Sequence, residues 1–129
     1  MGLNARFLLI DGSRDPSWRT VLTAALRPLG ILEEKSEEEA IGRLRDSRYE
    51  LIVVDAAAVR DAPALVARIR GCTPNAKVVI ATASPTWRRA REAFRAGVVD
   101  YIRKTLDEEE VRKVLEKALT KTPPHLAPD

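Results

Sequence analysis

The sequence predicts an α/β fold in which helices cover both faces of a parallel sheet. Three observations carry that prediction. Four short β-rich runs are almost continuously apolar: 7–10 (FLLI), 51–54 (LIVV), 78–81 (VVIA) and 98–102 (VVDYI). Continuity rather than alternation means burial on both faces, which a sheet reaches only when both sides are covered. Between the runs, apolar residues recur at helical spacing. The chain of 129 residues suits one domain and is long enough for a real core.

The first run stops at Asp11. The first helix is expected to begin at Asp15 and Pro16, a capping carboxylate followed by a ring already set to helical φ. Its inward stripe is Trp18, Val21, Leu22, Ala25, Leu26 and Leu29, and Gly30 is its expected stop. The weaker run 31–35 (ILEEK) carries Glu33 and Glu34. It should be an edge strand, where charge is tolerated and discourages pairing with other chains. The second helix starts at Ser36, whose hydroxyl caps while Glu39 reaches back, and it buries Ala40, Ile41 and Leu44. The third starts near Asp61 with Pro63 in its first turn, buries Leu65 and Ile69, and ends at Gly71. The fourth runs from about Thr86 to Arg95 with Trp87, Ala90 and Phe94 inward. The fifth follows Thr105 or Asp107 and buries Val111, Val114, Leu115 and Ala118. Asp107, Glu108, Glu109 and Glu110 at its start suit the positive end of a helix.

The order is therefore strand–helix, repeated along the chain. Right-handed crossovers place helices on both faces. With the charged run at one edge, this gives a flavodoxin-like three-layer sandwich with strand order 2-1-3-4-5. Residues 1–121 form the domain; 122–129, rich in proline, read as a tail or the start of a linker. The formal charge of +3 leaves room for an acidic partner without demanding nucleic acid. A single cysteine, Cys72, excludes an internal disulfide and fits a reducing, cytoplasmic setting. It reads as a helix-end residue rather than a nucleophile, since the sole histidine, His125, lies far away in the tail. No run is long enough to span a membrane, and 7–10 is too short for the core of a signal peptide.

In such sheets, ligands gather outside the carboxyl ends of the strands. There the first strand delivers Asp11, the third Asp55, the fourth Thr82 and the fifth Lys104. One polar residue at a strand end is unremarkable, but two carboxylates, a hydroxyl and an ammonium on one edge form a candidate site. The residue types suit phosphoryl chemistry on a carboxylate. Asp55 serves as nucleophile. A second carboxylate helps hold a hard divalent cation such as Mg²⁺. Lys104 and the cation offset phosphoryl charge, and Thr82 donates to a phosphoryl oxygen.

The segments FLLID (7–11), YELIVVD (49–55), VVIATA (78–83) and AGVVDYIRK (96–104) resemble the signature segments of response-regulator receiver domains, the single-domain chemotaxis receiver among them. The resemblance covers about residues 5–120. It implies a phospho-acceptor at Asp55, a switch hydroxyl at Thr82, a family lysine at Lys104 and a switch aromatic at Tyr101. It also implies metal ligation by Asp11, Asp55 and the backbone carbonyl of Ala57. The implied partners are a sensor histidine kinase or phosphotransfer protein upstream. Downstream comes an effector or second copy, met through the fourth helix, fifth strand and fifth helix.

The departures are specific. Gly12 stands where receivers usually carry a second acid, so Mg²⁺ binding is expected to be weak or absent. Thr105 replaces the family's proline after the lysine, so that peptide should be trans and Lys104 re-aimed. After Asp55 the chain reads Ala-Ala-Ala-Val, which leaves a plain pocket wall. Two readings stay open: a phosphorylated receiver, and a degenerate receiver that acts as a phosphorylation-independent interaction module. Arg88, Arg89, Arg91 and Arg95, with Arg103 nearby, read either as a solvated face or as a docking surface for an acidic partner. Trp87 reads as a core residue, or as a cap over Thr82. A flavin-binding flavodoxin would need a better phosphate loop than Gly12-Ser13-Arg14. An aspartyl phosphohydrolase would need a second aspartate where Ser13 stands. No DNA-reading module is evident, so direct nucleic-acid binding is not expected.

Overall fold

β3 (Leu51–Asp55) and β4 (Val78–Thr82) are buried at every position, which puts them in the middle of any sheet they join. The computed structural model, which describes residues 5–11 and 16–123, bears this out. The remaining strands are β1 (Ala5–Ile10), β2 (Gly30–Lys35) and β5 (Asp100–Arg103). They form one parallel sheet in the order β2-β1-β3-β4-β5. The helices are α1 (Pro16–Leu26), α2 (Glu37–Arg43), α3 (Ala62–Cys72), α4 (Trp87–Ala96) and α5 (Glu108–Thr120). A 3-10 turn, Ala56–Ala58, follows β3.

The sheet splits the interior into two cores, as period-2 side-chain alternation requires. Phe7, Leu9, Val53, Val79 and Ala81 pack against Leu22 and Leu26 of α1 and Val111 and Leu115 of α5. Leu8, Ile10, Ile52, Val54 and Ile80 pack against Ile41 of α2, Leu65 and Ile69 of α3 and Ala93 of α4. The three-layer flavodoxin-like sandwich is the expected one.

Local signals hold where the caps are concerned. Ser36 and Glu39 form the reciprocal capping box. Asp61 caps α3, with Pro63 in its first turn. Thr86 caps α4, and Asp107 rather than Thr105 caps α5, accepting from the amides of Glu109 and Glu110. The expected capping role of Asp15 falls outside the described residues. β2 is the charged edge. There Glu33 accepts from Arg6 at 2.5 Å and from the Tyr49 hydroxyl at 3.1 Å, while Arg6 stacks 4.9 Å over the Tyr49 ring.

Four expectations need correction. Gly30 is not the stop of α1, which ends at Leu26; it opens β2 opposite Ala5. A Cβ there would lie 2.2 Å from the Ala5 carbonyl oxygen, so the glycine is required by close strand approach. Gly71 lies inside α3, which continues to Cys72. β5 begins at Asp100 rather than 98: Val98 and Val99 are buried ahead of it, and the register with β4 starts at the Val79–Asp100 pair. Finally, α4 turns differently. Trp87 is 79% exposed and Phe94 48%, while Ala93 is the buried residue. At about 100° per residue, Trp87 and Phe94 point some 100–120° away from Ala93. The small side chain lets the helix sit close to the sheet, and the aromatics are left outside.

Candidate functional site

Because the sheet is parallel, every strand ends on the same edge. β1 and β3 are in register through Ile10 and Val54, so the next residues, Asp11 and Asp55, stand side by side on neighbouring strands. β4 and β5 are in register through Thr82 and Arg103, and the Lys104 amide continues their ladder to the Thr82 carbonyl at 2.8 Å. The structure thus brings together all four residues that the sequence proposed for this edge. Asp55 is 1% exposed, and Asp11 and Thr82 are each 6% exposed. Among the described residues these three are the buried polar side chains. Burying polar groups costs free energy unless they are satisfied, so their gathering at one edge marks a built site.

Asp55 is the most heavily engaged. Lys104 Nζ lies 2.7 Å from each of its carboxylate oxygens. The Ala57 amide donates to Asp55 Oδ1 at 2.9 Å from the 3-10 turn. Lys104 thus reaches Asp55 with no proline after it. The described residues contain no cis peptide, as Thr105 predicts, and Lys104 lies against Asp55. Thr82 Oγ1 accepts from the Ser84 amide at 3.2 Å. Beside Thr82 opens a cleft of about 420 Å³ between the α3 and α4 starts, with Val59, Arg60, Arg89, Glu92 and Tyr101 in its wall. Tyr101 is half-buried there. Trp87 does not line this cleft; it stands in solvent with the Arg91 guanidinium 5.9 Å from its ring centre.

The oxygens of Asp11, Asp55 and the Ala57 carbonyl are hard donors. They fit a hard divalent cation that keeps most of its waters and takes few protein charges. Among the described residues no cluster of three acidic, histidine or cysteine side chains gathers to hold one more firmly. Gly12, the expected reason for weak binding, lies outside the described residues.

Sequence reading missed a pair beside Asp11. Arg19, in the first turn of α1, donates to Glu34 of β2 at 2.6 Å. The pair with Glu34 chiefly, and the charge of Asp11 in addition, raises the Arg19 pKa further. The signal in the sequence was Glu34 on the strand next to β1, which becomes informative only once the register is known.

A parallel five-stranded sheet with paired aspartates, a hydroxyl and a lysine converging on its carboxyl edge defines a class of signalling domain. Residues 8–116 match the family model of the response regulator receiver domain, and the chain belongs to that family. The transcriptional regulatory protein ZraR of Salmonella typhimurium is 33% identical over 118 residues, covering 89% of this chain and 26% of ZraR. This chain therefore spans about a quarter of the length of that curated relative. A response regulator from Thermotoga maritima superposes with a TM-score of 0.80 at 26% identity, over 92% of this chain and all of the other. A response regulator from Burkholderia pseudomallei, described with a phosphorylated aspartic acid, calcium ion and citrate, gives a TM-score of 0.74. It is 21% identical and covers 92% of this chain and 68% of that one. Members of this family are signalling modules of two-component systems and generally bind Mg²⁺ at the acidic pocket. Among the described residues, no helix is long and apolar enough to cross a membrane.

Proposed function

We propose that this chain is a cytoplasmic receiver that accepts a phosphoryl group on Asp55 from a sensor histidine kinase or a phosphotransfer protein. In that step one Asp55 oxygen forms the new O–P bond, while the donor's P–N bond breaks and its imidazole departs. The observation that carries the reading is the 2.7 Å contact of Lys104 with Asp55. A buried carboxylate with an ammonium at both oxygens has a counter-charge in place for the phosphoryl oxygens that arrive. Asp11, Asp55 and the Ala57 carbonyl would hold Mg²⁺ weakly, and the ion would supply further charge neutralisation. Thr82 supplies a hydroxyl at the rim and Tyr101 the aromatic beside it; these are the switch pair. Output passes through α4, β5 and α5 to an effector or a second copy. The exposed Arg88, Arg91 and Arg95, with Trp87 and Phe94, favour an acidic, partly apolar partner. Residues 1–121 are the receiver unit, and 122–129 a proline-rich tail or the start of a linker.

The test is incubation of wild type, Asp55→Asn and Asp11→Asn with acetyl phosphate and Mg²⁺, read as the phosphate adduct by intact mass. Wild type should be labelled and Asp55→Asn should not. Undiminished labelling of Asp55→Asn rejects the acceptor. A folded wild type that takes no label favours the phosphorylation-independent interaction module.

A further inference from the structure

Arg19 and Glu34 are joined at 2.6 Å across the gap between α1 and β2, and their position relative to Asp11 is fixed by the sheet. Glu34 is the register partner of Leu9, and register partners in a parallel ladder share a face. The Asp11 amide donates to the Lys35 carbonyl at 3.1 Å, so the ladder continues one residue past β1. Asp11, two residues after Leu9, is therefore on the face that carries Glu34. α1 covers that same face, since Leu9 packs with Leu22 and Leu26, and Arg19 stands in its first turn. The side chains of Arg19 and Glu34 are each about one-third exposed, so solvent screens this charge only in part.

We propose that Arg19, gripped by Glu34, is a fixed cation beside Asp11 that holds down the pocket's affinity for divalent metal. The inference rests on reading this edge as a cation-assisted acceptor site, and it adds a positioning pair to it. A guanidinium is charged at every accessible pH and forks onto a carboxylate. It thus places permanent positive charge next to one of the two carboxylates available to a cation. Glu34 keeps it there. Release of Arg19 from Glu34 would leave the guanidinium free to move onto Asp11, while the loss of Glu34 removes a negative charge from the rim. Both changes weaken metal binding. Loss of Arg19 alone has the opposite sign.

The experiment is an Mg²⁺ titration of the whole chain followed by amide NMR shifts of Asp11, Ala57 and Lys104. It uses wild type, Arg19→Gln, Arg19→Lys and Glu34→Gln, each first checked for a cooperative melt. Arg19→Gln should bind Mg²⁺ about tenfold more tightly, the order expected for removing one charge that repels a divalent ion across solvated ground. Glu34→Gln should bind several-fold more weakly. Arg19→Lys keeps the charge and should stay within about twofold of wild type. Arg19→Gln with unchanged or weaker binding overturns the proposal, as do shifts of the same sign in Arg19→Gln and Glu34→Gln. So does an absence of binding in both wild type and Arg19→Gln. Failure of the acceptor reading is separate: the metal responses would follow as stated while acetyl phosphate leaves Asp55 unlabelled.

Discussion

Replacing Lys104 by methionine keeps most of the stem and removes the charge. Asp55 would then be a carboxylate 1% exposed with, among the described residues, only the Ala57 amide, at 2.9 Å, to satisfy it. At the observed 2.7 Å, an ion pair in an effective dielectric of 20 gains roughly 6 kcal/mol before desolvation is counted. Breaking a buried pair by removing one partner costs about 3–5 kcal/mol, because the other charge is stranded. Lys104 keeps 17% of its side chain exposed, so water can approach the gap and the low end applies, about 3 kcal/mol. The assay is urea unfolding at neutral pH of wild type, Lys104→Met, Asp55→Asn and the double variant. The double variant should recover most of the loss, because no charge is then left buried alone. A loss below about 1 kcal/mol in Lys104→Met, the level of an exposed pair, would refute the reasoning. So would a double variant as unstable as the single one.

Acid should loosen the β2 edge through Glu33, whose carboxyl is held below its ordinary range by Arg6 first and Tyr49 next, against the opposing effect of burial. A depressed folded pKa stabilises above the unfolded value, near 4.3, and that stabilisation is lost as pH falls through the folded value. Arg6 is 38% exposed, so screening limits the effect: Glu33→Gln should cost about 1 kcal/mol at pH 7, and the deficit should close below pH ~4. Parallel stability curves for the two proteins down to acid would contradict this. Gly30→Ala should cost about 2 kcal/mol, since a Cβ 2.2 Å from the Ala5 carbonyl oxygen forces the β1–β2 pair apart. Urea melts check the loss, and faster exchange of the β1 and β2 amides locates it; unchanged exchange there would place the strain elsewhere.

Much of the fold was legible because buried parallel strands write themselves as unbroken apolar runs. The site was legible for a related reason. Each such run ends in the polar residue that the strand delivers to the sheet edge, so Asp11, Asp55, Thr82 and Lys104 could be named before any register was known. α4 misled because aromatic residues at helical spacing look like a core stripe. The helix instead seats the small Ala93, and hydrophobicity alone does not show that a close helix prefers a small contact. Gly30 followed a helix and resembled its stop, whereas its true constraint, the Ala5 carbonyl, is 25 residues away in sequence. The Arg19–Glu34 pair was invisible for the same reason: it depends on which strand lies beside β1 and in which register.

The central claim is that Asp55 is the residue phosphorylated, and chemical trapping of the adduct tests it most directly. An acyl phosphate is reduced by borohydride to the alcohol, which converts a phosphorylated aspartate into homoserine at its own position. Wild type treated with acetyl phosphate and Mg²⁺, then reduced, digested and sequenced by mass spectrometry, should carry homoserine at position 55 and aspartate at 11, 61 and 107. Homoserine at position 11, or spread over several aspartates with 55 unchanged, would contradict the assignment.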